Sequence, residues 1–108
     1  MNRKRKPVDD YTVEVHALKG KRKGAVLKEE VWWEDGRVTA YNLAYINLKL
    51  CRVDHGRVLG FDNSHGFHHR HFMGKVEPVE EQTYEAIYER FLRELHEIWS
   101  VEDEKDQG

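Results

Sequence analysis

The chain has one cysteine, almost no net charge and no run of apolar residues long enough to cross a bilayer, and each shortage excludes something. With Cys51 alone, an intrachain disulfide is impossible and nothing points to an oxidising compartment, so an inert, half-buried thiol is expected. A membrane span needs roughly 18 apolar residues. The cations Arg3, Lys4, Arg5 and Lys6 are followed by Pro7 with no apolar stretch behind them, which is not the pattern of a secretory signal. A cytoplasmic protein with no membrane association is the expectation.

The net charge of −2 conceals a strong polarity. Residues 1–24 carry eight Lys/Arg against three Asp/Glu, and residues 80–108 carry three against ten. A basic arm suits an anionic partner, and an acidic end suits solvent or a basic partner. At 108 residues the chain fits one domain with a single core. The expected organisation is a basic arm over residues 1–10, one domain over residues 11–100 and a charged, frayed tail over residues 101–108.

Apolar residues alternate in the stretch Tyr11, Val13, Val15, Ala17, which predicts a first strand. A basic loop, residues 19–24, leads to strands predicted at residues 26–34 and 37–53. Between these two lies Asp35-Gly36, a dipeptide suited to a type I′ hairpin. The third strand carries Ala40, Ala44 and Ile46 on one side and Tyr41, Leu43 and Tyr45 on the other, as a central strand would. Its length calls for a bend near Asn47 to Lys49. After the turn Asp54-His55-Gly56, residues 57–61 form a fourth strand.

A helix is predicted over residues 80–100. Tyr84, Ile87, Tyr88, Phe91, Leu92, Leu95, Ile98 and Trp99 recur at spacings of three and four, and Pro78 suits the first helical turn. The assembly is an α+β fold: an antiparallel meander sheet of four or five strands packed on one long C-terminal helix. Trp32 and Trp33 point to opposite faces of one strand, so both cannot meet the helix. One belongs either to the rim of the core or to a partner or homodimer surface.

The richest segment for chemistry is Phe61-Asp62-Asn63-Ser64-His65-Gly66-Phe67-His68-His69-Arg70-His71-Phe72. Four of the seven histidines fall within seven positions, and histidine both exchanges protons near neutral pH and ligates metals. One reading is phosphodiester chemistry. His69 and His71 would exchange protons with an attacking 2′-hydroxyl and a leaving oxygen, Arg70 would stabilise the phosphorane, and Asp62 would orient a histidine. An extended backbone places His69 and His71 on one face and His68 and Arg70 on the other. A bend at Gly66 or Gly74 would bring both sets to one phosphate. This chemistry needs no cofactor or metal. A second reading is a non-catalytic module in which His65, His68, His69 and His71 hold zinc or another transition metal; a third is a polar loop without chemistry. RNA is the expected partner in the first case, held by Arg3, Lys4, Arg5, Lys6, Lys19, Lys21, Arg22 and Lys23, with Phe67 stacking on a base.

The segment from Phe61 to His71 resembles the TumE family of toxins from bacterial and archaeal toxin–antitoxin pairs. The resemblance rests on the aromatic-Asp-Asn at a strand end, the histidine-rich element that follows and the C-terminal helix. It implies a toxin whose partner is an antitoxin with a helix-turn-helix DNA-binding domain. It also implies functional weight at Asp62, Asn63, His68, His69 and His71, with Arg70 matching a basic position between histidines. An endoribonuclease activity is inferred from the histidines, the arginine and the cations.

Overall fold

A computed structural model describes residues 8–64 and 66–107, so His65 and the arm cations Arg3, Lys4, Arg5 and Lys6 lie outside the described residues. Six strands form one antiparallel meander in sequence order: β1 (Val8–Ala17), β2 (Val26–Glu34), β3 (Arg37–Ile46), β4 (Arg57–Asp62), β5 (His69–Phe72) and β6 (Lys75–Pro78). One helix, α1 (Tyr84–Gln107), packs against β3 and β4. The fold is the expected α+β meander with a C-terminal helix, with more strands than the four or five expected.

The additional strand pair comes from the histidine segment itself. Met73 and Gly74 both take positive φ, 49° and 89°, as a tight turn between antiparallel strands requires. Asp35 and Gly36 do the same between β2 and β3, at 54° and 75°. β3 stops at Ile46, short of residue 53, because the chain turns at Asn47. The Asn47 carbonyl accepts from the amides of Leu50 and Cys51, and Leu48 and Leu50 are exposed beyond the sheet.

Period-two alternation sorts the strand residues into two faces. Tyr41, Leu43 and Tyr45 of β3 and Leu59 and Phe61 of β4 lie under the helix and meet Ile87, Phe91 and Leu95, all buried. Phe61 and Phe91 meet edge to face at 6.2 Å, the arrangement aromatic quadrupoles favour. No second layer covers the opposite, open face among the described residues.

The helix differs from expectation at both ends. Pro78 closes β6, and Thr83 caps the helix, its Oγ1 accepting from the Ala86 amide at 3.1 Å. At the far end residues 102–107 are helical, where a frayed tail was expected. Arg22 donates to Glu102 at 3.0 Å, Asp103 at 2.9 Å and the Trp99 carbonyl at 3.2 Å, and lies over the Trp99 ring. This clasp joins the β1–β2 loop to the last turns of α1. It sets two carboxylates of the helix and the face of Trp99 around one guanidinium.

Candidate active site

β4 and β5 pair with Asp62 opposite His69 and Gly60 opposite His71. Those four positions face away from the helix, so Asp62, His69 and His71 come together at the centre of the open face, all buried. Asp62 is held from several sides. Its Oδ1 accepts from the Ser64 amide at 3.1 Å and the Ser64 hydroxyl at 3.0 Å, and lies 3.5 Å from His69 Nδ1. Its Oδ2 meets His71 Nε2 at 2.8 Å and accepts from Arg57 at 3.4 Å. Burial alone would raise the pKa of this carboxyl, but the two Ser64 hydrogen bonds and the neighbouring His71 outweigh it and hold it below the usual carboxylate value.

His71 lies between two carboxylates. Its Nδ1 is 3.0 Å from Asp54 Oδ2, opposite the Nε2 contact with Asp62. Each ring nitrogen of His71 thus faces one carboxylate oxygen. Arg57 also donates to Asp54 and so bridges the two aspartates. The result is a compact assembly of two carboxylates, Arg57 and His71, with His69 beside it.

Two features of β4 put Arg57 there. Its register with β3 shifts between Tyr45 and Ile46, so Ile46 pairs with Arg57 and Tyr45 with Leu59, leaving Val58 as the extra residue of a bulge. A bulge reverses the facing of what precedes it. Strict alternation would have sent Arg57 toward the helix with Leu59 and Phe61. Gly60 then leaves room for the guanidinium to cross the strand, since a Cβ there would lie 3.2 Å from Arg57 Cδ. Asp54 precedes the bulge in a turn where Asp54, His55 and Gly56 all take positive φ. Neither Asp54 nor Arg57 was singled out from the sequence; the Asp54-His55-Gly56 turn before an arginine was the available signal.

The expected set does not stay together. Arg70 points to the helix, donating to Glu94 at 2.9 and 2.6 Å and to Glu77 at 3.1 Å, over the Phe72 ring. Burial would raise the pKa of Glu94, but hydrogen bonds and charge from Arg70 and Arg90 hold it below its ordinary value. His68 is also apart from the cleft, its Nδ1 2.6 Å from the Tyr41 hydroxyl, whose pKa is raised first by burial and then by nearby Asp62. Glycine bends at Gly66 and Gly74 therefore do not bring the two sets to one point. Asn63 completes the sheet edge, accepting from the Tyr41 amide and donating to the Thr39 carbonyl.

The open-face assembly borders a cleft of about 650 Å³, lined also by Glu30, Trp32, Asn42, Ser64 and Val76. Phe67, exposed, packs its ring 4.0 Å from that of His69. None of Lys19, Lys21, Arg22 and Lys23 lines this cleft. Arg22 is held in the helix clasp, Lys21 lies 3.4 Å from Asp103, and Lys19 and Lys23 are exposed.

Among the described residues the trio whose ligand atoms converge within 4.8 Å is Glu14, His16 and Glu29, on the helix side of β1 and β2. The described members of the proposed zinc set, His68, His69 and His71, divide between the two faces. No described helix is long and apolar enough to cross a membrane. The chain matches no family model, no curated protein and no solved structure.

Proposed function

We propose that the protein is the toxin of a toxin–antitoxin pair and acts as a metal-independent endoribonuclease whose proton-transfer group is His69. The observation that supports the reaction is the His69–Asp62–His71–Asp54 chain, its first three members buried, opening on a cleft beside Arg57. The toxin setting rests on the likeness of residues 61–71 to the TumE family, and with it come a helix-turn-helix antitoxin as partner and a cytoplasmic site of action.

His69 would take the proton of an RNA 2′-hydroxyl as that oxygen bonds to phosphorus. The same ring would return the proton to the departing 5′ oxygen as the P–O5′ bond breaks, leaving a 2′,3′-cyclic phosphate and a 5′-hydroxyl. Asp62 Oδ1, 3.5 Å from Nδ1, would orient the ring. His71, with each nitrogen on a carboxylate, is a positioning residue here, and Arg57 takes the cationic place first given to Arg70. Trp32 and Phe67 offer ring faces for a base.

Purified protein incubated with RNA in EDTA is expected to cleave it, and His69→Ala to lower the rate about 10²- to 10⁴-fold, the usual range for a lost general acid–base group. Equal rates in the two proteins would remove His69 from the reaction. Stoichiometric zinc together with no RNA turnover would overturn the enzyme reading in favour of a metal-holding module.

A further inference from the structure

The sheet ends in two unlike edges. β6 is four residues long and carries Lys75 and Pro78, both common guards against strand pairing. β1 is ten residues long, pairs among the described residues with β2 alone, and contains no lysine, arginine or proline, its charged side chains being acidic. Tyr11, Val13 and Val15 project from it on the open face, 45, 46 and 59 % exposed. Tyr11 lies against Trp32 at 4.9 Å, so the apolar row continues onto β2. A long β-branched edge with unpaired backbone groups is a template for another strand.

From this edge we infer that the protein forms a two-fold dimer by antiparallel pairing of β1 with β1 of a second copy, with the axis at Val13. A two-fold normal to the sheet keeps both open faces on one side and must set one residue opposite its own copy, the axis lying between the two. With the axis at Thr12, Asp10 would stand opposite Glu14; at Glu14, that glutamate would face itself; at Tyr11 or Val15 the pairing would take in fewer residues of β1 than at Val13. Directly opposed like charges are destabilising. At Val13 the pairs are Tyr11 with Val15, Thr12 with Glu14 and Asp10 with His16, apolar against apolar and acid against histidine. The regular part of the strand accommodates this centre. The ladder to β2 is interrupted between Val8 and Asp10 and runs unbroken from Asp10 to Ala17, so every pair from Asp10 to His16 about Val13 lies within its regular part.

The dimer is one continuous sheet, six strands from each copy, with an apolar band of Tyr11, Val13, Val15 and Trp32 at its middle. The two His69 clefts open on the same side, one to each flank of that band.

Sedimentation of the full chain at micromolar concentration is expected to give twice the chain mass of 12.9 kDa. Val13→Lys, which sets two ammonium groups together at the axis, is expected to sediment as a monomer with an unchanged far-UV spectrum. Val13→Cys is expected to form a disulfide-linked dimer on mild oxidation, while wild type, with Cys51 buried, and Val53→Cys, on an exposed loop, do not. A wild-type monomer overturns the inference and leaves the β1 edge to a different protein. So does a dimer that survives Val13→Lys, or one in which Val13→Cys fails to cross-link.

Discussion

β5 serves two systems that share a backbone and little else. On one side His69 and His71 join Asp62, Asp54 and Arg57 in an assembly beside a cleft, with no further layer among the described residues; on the other Arg70 ties the sheet to Glu94 of the helix. Both assemblies pair carboxylates with an arginine, yet only the first borders an opening lined by aromatic and polar side chains. Similar ionic chemistry can therefore fasten a fold or form a reactive surface. What distinguishes them is whether another layer of structure lies on top.

The largest effect should come from the covered face. Phe91→Ala, removing a ring that is 1 % exposed and edge-on to Phe61, is expected to cost about 3–5 kcal/mol of unfolding free energy. Val76→Thr, on the open face and 55 % exposed, is expected to stay within about 0.5 kcal/mol. Urea titrations of both variants check the pair, and comparable losses would mean that the open face is packed in solution.

The two arginines sharpen the same contrast. Arg57→Met is expected to lower RNA cleavage about 10²-fold, as loss of a preorganised electrostatic partner does. Arg70→Met is expected to leave cleavage within a few-fold and to lower stability by about 2 kcal/mol, since a half-buried Glu94 keeps only Arg90. Reversed outcomes would return the reaction to the helix side of β5.

Parts of this division could be read in the sequence. Alternation placed His69 with His71 and Arg70 opposite, β2 was legible to the residue, and the helical stripe identified Ile87, Phe91 and Leu95 as core. Three things were hidden, each for a physical reason. The bulge at Val58 breaks the alternation that would locate Arg57, and nothing in Arg57-Val58-Leu59 announces it. The Met73-Gly74 turn lacks the Asn or Asp that marks a type I′ hairpin, so β5 and β6 were not separated. The last helical turns depend on Arg22, some eighty positions away, and a local pattern carries no such information.

Acid should probe both faces together. Asp62 and Glu94 each have a folded pKa below the ordinary value. The unfolded chain therefore binds protons first, so their contribution is present above about pH 4 and is lost as pH falls through the lower folded values. Denaturation between about pH 6 and pH 3 should show stability declining toward acid, with a shallower slope in Asp62→Asn and in Glu94→Gln. An unchanged slope in Asp62→Asn would mean that the open-face carboxylate is solvated like any surface aspartate.

The smallest expected effect tests whether the helix is anchored locally or by its far end. Thr83 supplies the side-chain cap of α1, whereas Arg22 holds the last turns through three hydrogen bonds and the Trp99 ring. Thr83→Ala is expected to cost about 1 kcal/mol, the usual worth of an N-cap oxygen, with cleavage unchanged because the cap lies on the covered side. Arg22→Met should instead loosen residues 102–107 alone, raising amide exchange there before any change at Phe91. If Thr83→Ala accelerates exchange along the whole helix while Arg22→Met leaves residues 102–107 protected, the order of importance of the two ends is reversed.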